Sequence, residues 1–258
     1  MNHNVLISTR ERVRTLTISR PEKKNAITQD MYQAMADAID DYTAESHVRA
    51  FVITGAGDYF TSGNDLKDFA VQGMPRPGEE FHNTPGVMSF LRAVSTCPKP
   101  LIAAVNGPGI GIGLTMLLHC DLVYAAESAS LSAPFTRLAL VPEAASSMLL
   151  SQSVGMAVAN DILLAGRTLS ADEALNFGLV ARIFPDVALM QEVDKIADHI
   201  AATSPTALRR SKELIRYQRD LIAKRMIDEV TIFAEQLQTE DFRESATALM
   251  QKRQPIYK

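Results

Sequence analysis

The sequence predicts an α/β fold that ends in a helical segment. Short apolar runs at 50–54, 101–105 and 122–126 have the length and composition of strands that are buried on both faces of a sheet. Stretches with apolar residues at helical spacing lie between these runs. In the C-terminal quarter of the chain only helical spacing is found. The pattern therefore favours a layered α/β core followed by helices.

The N-terminal region is predicted to form a hairpin and then a helix. Residues 5–9 and 13–19 alternate apolar and polar side chains on either side of a charged turn, which is typical of paired strands. A basic loop at 20–26 follows, and it could be a solvated turn or a contact for phosphates. Thr28 is a plausible N-cap for the next helix. The buried face of that helix is predicted to contain Met31, Met35, Ala38, Ile39 and Tyr42.

A glycine-containing loop follows the strand at 50–54. Gly55, Gly57 and Gly63 permit backbone conformations that a Cβ atom would disfavour. Asn64 and Asp65 suit a turn into a helix. Residues 71–86 are rich in proline and glycine, and this composition predicts a mobile loop that could serve as a lid.

The region after Glu143 is predicted to begin with two helices in 144–165, broken near Gly155. Ser170 and Glu173 have the spacing of a capping box at the start of another helix. A strand is expected at 179–184. The remaining chain is helical, and we place the core at residues 1–200 and a capping and oligomerisation segment at 201–258.

Composition and charge exclude several classes of protein. The 258 residues are 47% hydrophobic and 22% charged, as expected for a globular chain with a large core. A formal net charge of -4 argues against a nucleic-acid binder. With two cysteines, the chain is expected to have no disulfide framework, which fits a reducing compartment. No signal peptide, membrane-spanning run or C-terminal peroxisomal motif is recognisable, so a cytoplasmic location and no membrane partner are expected.

The stretch 99–143 contains the strongest chemical signals. Its order is strand, glycine-rich turn, helix, strand, and such a turn presents free backbone N–H groups that can hold negative charge. The spacing G-x-G-x-G does not match a dinucleotide-binding motif. Glu143 stands in a nearly uncharged neighbourhood, where it could be an acid at a helix start or a general base with a raised pKa. His119 is expected to be a core histidine, and the five histidines form no metal-ligand cluster.

Several segments combine into one pattern: Ser19, Arg20, Pro21, Asn25 and Ala26, the runs 57–66, 98–107, 120–121 and 134–143, and Leu169 to Gly178. Together with the glycine-rich turn, they resemble the crotonase (enoyl-CoA hydratase/isomerase) superfamily over nearly the whole chain, and they are most similar to its Δ3,Δ2-enoyl-CoA isomerase branch. The resemblance implies a spiral of ββα units with two near-perpendicular sheets and a helical segment for trimerisation.

The resemblance also implies an oxyanion hole and a base. By position, the two backbone N–H groups that would hold the thioester oxygen belong to Asn64 and Ile112, the latter replacing the usual glycine. Hydratases of the family use two glutamates at the positions of Thr115 and Phe135, and neither of these side chains can act as an acid or base. Isomerases of the branch use one glutamate at the position of Glu143. The implied reaction converts 3-enoyl-CoA to (2E)-enoyl-CoA in unsaturated fatty-acid oxidation.

Further implied contacts concern the acyl-CoA substrate, with CoA belonging to the substrate and no other cofactor expected. The basic loop would approach the CoA nucleotide. A homotrimer or a dimer of trimers is implied. The candidate binding residues are Lys23, Lys24, Ala26, Ile27, Ser62, Gly63, Asp65, Leu66, Gly111, Phe135 and Pro142.

Two alternatives remain open from the sequence. The same fold could catalyse another reaction of acyl-CoA thioesters, as a dienoyl-CoA isomerase or a weak enoyl-CoA hydratase. It could also bind CoA without catalysis.

Overall fold

The computed structural model describes residues 2–65, 68 and 86–258. Leu66 and all of the predicted 71–86 loop except Gly86 lie outside the described residues. In the described part the fold is α/β with two sheets and a helical C-terminal region, as the sequence predicts.

The larger sheet has six strands in the order β1-β2-β3-β4-β6-β9. β1 and β2 form the predicted antiparallel hairpin, and each later neighbour pairs in parallel. Leu16 pairs with Ile53, and Ile53 pairs with Ala103, so apolar side chains share one face of the sheet. The strands are β1 (Val5–Arg10), β2 (Val13–Ile18), β3 (Ala50–Gly55), β4 (Leu101–Val105), β6 (Leu122–Ala126) and β9 (Arg182–Phe184).

The smaller sheet has three short strands in the order β5-β7-β8. They are β5 (Gly109–Ile110), β7 (Ser130–Ser132) and β8 (Thr168–Ser170). β5 pairs in parallel with β7, and β7 pairs antiparallel with β8. Because β5 leads directly into the glycine turn, this sheet fixes the position of that turn.

Helices occupy both faces of the larger sheet. Thr28 caps α1 by accepting a hydrogen bond from the Met31 amide, and the predicted apolar face of α1 is buried. Ser170 and Glu173 form the predicted capping box at the start of α6. The helices are α1 (Gln29–Ala44), α2 (Val87–Thr96), α3 (Ile112–Thr115), α4 (Ser146–Val154), α5 (Met156–Leu163), α6 (Ala171–Asn176), α7 (Leu189–Ala202), α8 (Pro205–Ile215), α9 (Arg219–Gln236) and α10 (Glu240–Met250).

The core lies on the two faces of the larger sheet. On one face, Val52, Ile102 and Tyr124 pack against Val193 and Ala197 of α7. On the other face a larger cluster joins the sheet to α1, α2 and α4. Strands covered on both faces need apolar side chains at every position, which explains the continuous apolar runs in the sequence.

The C-terminal helices are joined to this core. Ile222, Met226, Val230 and Phe233 of α9 belong to the larger apolar cluster. Lys212 of α8 forms an ion pair with Asp121, with Nζ 2.7 Å from Oδ2. Nothing in these contacts decides the boundary at residue 200, which stays a prediction. In the described part of the chain, no helix combines the length and apolar character that a membrane span requires.

Two elements differ from the sequence-based expectation. The strand predicted at 179–184 is limited to Arg182–Phe184, because only these residues pair with β6. The helix predicted after the glycine-rich turn consists of α3 followed by a 3-10 helix, Met116–His119. Local apolar patterns do not reveal where a pairing partner ends or where a helix tightens.

Candidate active site

The glycine turn brings β5 into α3. Gly111 has φ 60° and ψ -116°, a backbone conformation that a residue with a Cβ rarely adopts, and its amide donates to the Ser132 carbonyl. A Cβ at Gly113 would lie 2.7 Å from Cγ2 of Thr61. The start of α3 can therefore approach the segment 61–65 closely only because residue 113 is glycine.

The segment 61–65 lies between the N-terminal loop and β5. On one side, the Gly63 carbonyl accepts from the Ile27 amide and the Asp65 amide donates to the Ile27 carbonyl. On the other side, Thr61 exchanges hydrogen bonds with the chain around Gly109. The Gly63 carbonyl and the Asn64 N–H belong to one trans peptide, in which the two groups point in opposite directions. The Asn64 N–H thus points away from Ile27, and Thr61 bonds to the chain around Gly109 on that opposite side.

Asn64 and Ile112 each present a backbone amide in this region. Ile112 is the first residue of α3, where a helix has no internal acceptor for the N–H group. Within the described residues, neither amide donates to a protein acceptor. Two such donors on facing segments can stabilise a negatively charged oxygen, which is the role that the family resemblance implies for this pair.

Glu143 is buried, with only 2% of the residue exposed. The Thr115 hydroxyl donates to Oε1 of Glu143 over 2.7 Å. Burial raises the pKa of Glu143 to about 7, the Thr115 hydrogen bond lowers it, and the charge of Glu229 raises it. Of the two interpretations left open by the sequence, this environment favours a proton-transferring group, because a carboxyl with a pKa near neutrality can both accept and donate a proton.

The backbone after Glu143 turns sharply. Ala144 and Ala145 both have positive φ, 59° and 55°, which is uncommon for residues with a side chain. Nε2 of His119 lies 2.8 Å from the Ala144 carbonyl. Burial lowers the pKa of His119 to about 4, so the ring is neutral and can donate to this carbonyl. His119 is thus the satisfied core histidine that the sequence predicts.

Tyr32 of α1 links the two halves of the site. Its hydroxyl donates to Oδ1 of Asn64 over 2.5 Å. Burial, and then the negative charge of Glu143, raise the pKa of Tyr32 well above its usual value. The hydroxyl therefore stays protonated and holds the Asn64 side chain in place.

Glu229 of α9 approaches from the C-terminal region. Its carboxylate Oε1 accepts from both the amide and the hydroxyl of Ser147, over 2.9 Å and 2.5 Å. Glu229 is 5% exposed, and burial raises its pKa. A second buried carboxyl group therefore lies at the start of α4, close to Glu143.

The basic loop lies beside the segment 61–65. The Ser62 amide donates to the Lys24 carbonyl over 2.9 Å, and Ile27 pairs with Asn64. Lys23 and Lys24 are exposed. The structure thus brings Lys23, Lys24, Ala26 and Ile27 together with Ser62, Gly63 and Asn64, although these groups are far apart in the sequence.

Asn25 fixes this loop to the core. Its side chain accepts from the Arg20 amide over 2.8 Å and donates to the carbonyls of Ala56 and Tyr59. The Thr61 hydroxyl donates to the Asn25 carbonyl over 2.7 Å. Asn25 is fully buried, so it explains how a loop of exposed lysines keeps one conformation.

The other predicted binding residues have different surroundings. Asp65 forms an ion pair with Arg20, with Oδ2 and Nη1 2.7 Å apart, so its carboxylate helps to hold the loop. Phe135 is buried at the start of a 3-10 helix, Phe135–Leu138, and Pro142 is half-buried next to Glu143. Gly111 forms the turn described above. Contact of these residues with the substrate stays a prediction.

Three residues near the site were not singled out from the sequence as parts of it. The sequence analysis predicts no role for Tyr32 or Glu229, and it describes Thr115 only as occupying a position that lacks a glutamate. Their partners are 32, 28 and 82 residues away along the chain. Local spacing contains no signal for such contacts.

No metal centre accompanies this arrangement in the described residues, where no three His, Cys, Asp or Glu side chains come together to hold an ion. A cavity of about 910 Å³ lies elsewhere, between α8 and the core, and its lining includes Leu117, Lys212 and Arg216. Asn64, Ile112 and Glu143 do not line it. The candidate site is therefore defined by polar geometry and not by this cavity.

Free backbone amides beside a buried carboxyl group of near-neutral pKa are typical of enzymes that stabilise an oxyanion while a proton is moved. The comparisons with known proteins agree with this class. The sequence profile of the enoyl-CoA hydratase/isomerase family matches residues 8–258. The chain belongs to this family, and its fold is the crotonase fold.

Individual relatives include both isomerases and hydratases. Enoyl-CoA delta isomerase 2 of Rattus norvegicus is 40% identical over 82% of this chain and 54% of its own length, so the chain spans about half of that relative. The 2,3-dehydroadipyl-CoA hydratase of Escherichia coli K12 is 30% identical over 98% of both chains. A crystal structure of an enoyl-CoA hydratase/isomerase from Pseudoalteromonas atlantica T6c has a TM-score of 0.92 and 48% identity, covering 99% of this chain and 100% of that one.

Proposed function

We propose that the protein is a Δ3,Δ2-enoyl-CoA isomerase in which Glu143 transfers the proton. The observation that carries the proposal is the state of Glu143, which is buried, hydrogen-bonded to Thr115 and has a pKa raised to about 7. A single group that takes a proton from one carbon and returns it to another must be effective as both base and acid. A pKa near the working pH meets both requirements.

The proposed reaction begins at C2 of a 3-enoyl-CoA thioester. The Glu143 carboxylate removes a proton from C2, and the electron pair of the C–H bond moves toward the thioester oxygen. The amides of Asn64 and Ile112 stabilise the enolate oxygen, and each such donor contributes about 3–4 kcal/mol in related sites. The protonated Glu143 then delivers the proton to C4, while the C3–C4 double bond becomes C2–C3. Nothing else is consumed or released.

Hydration of a double bond requires different catalytic groups from isomerisation. Adding water across a double bond requires groups that activate the water and protonate C2, and the family's hydratases use two glutamates for this. Thr115 and Phe135 occupy those positions here. The Thr115 hydroxyl already donates to Glu143, so it supports that carboxyl group and is not a second base.

The CoA portion is proposed to bind along the basic loop. Lys23 and Lys24 supply exposed positive charge for phosphates, and the backbone near Ala26 and Ile27 lies next to Asn64. CoA would thus enter from the same side as one oxyanion donor. A homotrimer or a dimer of trimers is proposed from the family resemblance.

A hydratase is the second candidate, and the 30% identity to the Escherichia coli hydratase over 98% of both chains favours it. An assay of 3-hexenoyl-CoA against crotonyl-CoA separates the two reactions. We expect isomerisation of 3-hexenoyl-CoA to exceed hydration of crotonyl-CoA by at least about 100-fold, because a second acid–base group contributes about 100- to 10,000-fold. The reverse preference would contradict the proposal.

The control variant for this assay is Glu143→Gln, which preserves the size of the side chain. It should bind acyl-CoA like the unchanged protein and lose isomerase activity by about 1,000-fold or more. Near-native turnover would exclude Glu143 as the base. Binding of acyl-CoA without turnover of either substrate by the unchanged protein would instead favour a non-catalytic CoA-binding protein.

A further inference from the structure

Glu229 makes contacts that the proposed reaction does not use. It lies on α9, and its carboxylate accepts from the amide and hydroxyl of Ser147. The Ala145 backbone lowers the pKa of the same carboxyl group, while its other oxygen, Oε2, is buried without a hydrogen-bond partner among the described residues. These contacts cross from the C-terminal helices to the segment that follows Glu143.

Helix α4 depends on this contact for its N-terminal cap. Its N-cap residue is Ala145, whose methyl side chain cannot accept a hydrogen bond, and no side-chain cap is formed locally. The carboxylate of Glu229 supplies the missing acceptor from a residue 82 positions later in the chain. A negative charge at this end of a helix is also favourable.

The turn that Glu229 holds is conformationally unusual. Ala144 and Ala145 both lie in the left-handed region, with φ 59° and 55°. Consecutive residues with side chains persist in this region only where surrounding contacts enforce it. The enforcing contacts are the hydrogen bonds of Ser147, two residues after Ala145, to Glu229, and that of His119 to the Ala144 carbonyl.

The charges that face the two carboxyl groups come from several elements. Tyr32 of α1 and Thr115 of α3 face Glu143 together with Glu229 of α9. Arg225, on the same helix as Glu229, attracts the Glu229 carboxylate. Among these groups, Glu229 is the one whose negative charge opposes ionisation of Glu143.

We propose that Glu229 is a positioning residue for Glu143: it holds the Ala144–Ala145 turn in place, and its negative charge acts on the Glu143 carboxyl group. The inference rests on the proposed role of Glu143 and extends it to the C-terminal region. Helix α9 thereby influences the ionisation of Glu143, although Glu143 does not lie on that helix.

Two substitutions separate the geometric role from the electrostatic one. Glu229→Gln keeps an oxygen that can accept from Ser147 and removes the charge. Glu229→Ala removes both. Glu235→Gln is the matched control, because Glu235 is an exposed residue of the same helix.

The pH dependence of kcat/KM with 3-hexenoyl-CoA is the kinetic measurement. With Glu229→Gln the acid limb should move to lower pH, because Glu143 ionises more readily without the neighbouring charge. With Glu229→Ala we expect the same direction and, in addition, a fall in kcat of about 10-fold with little change in KM, because the base loses its position. Glu235→Gln should match the unchanged protein.

A direct titration of Glu143 keeps the test independent of activity. The carbon-13 signal of the Glu143 carboxyl group, assigned by its loss in Glu143→Gln, should titrate at lower pH in Glu229→Gln. An unchanged titration would overturn the inference, even if Glu229→Ala fails to fold. Inactivity of the unchanged protein toward 3-enoyl-CoA would count against the proposed function instead, and the titration would still decide the role of Glu229.

Discussion

The two halves of the candidate site are built in different ways. The half that presents Asn64 and Ile112 consists of backbone amides held by the sheet-like bonds of Ile27, Thr61 and Gly109. The half that presents Glu143 consists of one side chain on a left-handed turn, with contacts from α3 and α9. Backbone donors tolerate changes of side chain, and this explains how Ile112 can occupy a position where the family usually has glycine.

The largest effect on the amide half is expected from removing an N–H group. Ile112→Pro deletes the donor at the first residue of α3, a helix position that accepts proline. Activity should fall by about 100- to 1,000-fold, as when one oxyanion donor is lost elsewhere. Ile112→Gly keeps the amide and should retain activity within about 10-fold. Equal losses in both variants would show that the Ile112 side chain matters and not its amide.

In the half that presents Glu143, burial of the carboxyl group should make the free energy of unfolding depend on pH. Glu143 has a pKa raised from 4.5 to about 7 in the folded protein. The contribution of this group is fully present below pH 4.5 and is lost as the pH rises through 7, because ionisation is easier in the unfolded chain. Glu143→Gln should therefore gain stability relative to the unchanged protein between pH 5 and pH 8, by up to about 3 kcal/mol.

Denaturant unfolding at several pH values measures this difference. The unchanged protein and Glu143→Gln should be compared in the same buffers. Glu173→Gln is the control, because its environment shifts the pKa of the carboxyl group in the opposite direction. The pKa of Glu173 is lowered, mainly by the Ser170 amide and Arg167, so its replacement should destabilise the fold at neutral pH. A Glu143→Gln difference that does not vary with pH would contradict a buried, perturbed carboxyl group.

A smaller effect is expected from the hydroxyl that contacts the base. Thr115→Val removes the hydrogen bond to Oε1 and preserves the shape of a fully buried residue. Since this bond lowers the pKa of Glu143, the acid limb of the activity profile should move to higher pH. Thr115→Ser restores the donor and should restore the profile. A limb that stays in place in Thr115→Val would show that the hydroxyl does not act on the ionised base.

The elements that the sequence predicts well are those encoded locally. The apolar runs of β3, β4 and β6, the Thr28 cap and the Ser170–Glu173 capping box each depend on residues within a few positions of one another. The strand at 179–184 was predicted too long, because its extent depends on where β6 pairs with it. The roles of Asn64, Ile112 and Glu143 came from family resemblance and stay predictions.

What the sequence could not predict are contacts between distant segments. Tyr32 reaches Asn64, and Glu229 reaches Ser147 from the other end of the chain. A tyrosine in an apolar helix face and a glutamate in a charged helix look ordinary in isolation. Their importance follows from burial and from the charge of Glu143, which only the folded chain brings together.

The most direct test of the central claim is the pH dependence of kcat/KM for isomerisation of 3-hexenoyl-CoA. The parameter reports the ionisation of the free protein. If Glu143 is the buried base, activity should fall as the pH decreases, with its midpoint near the pKa of about 7 that burial gives this group. A midpoint near pH 4.5, the ordinary value for a glutamate, or no acid limb at all, would contradict the account.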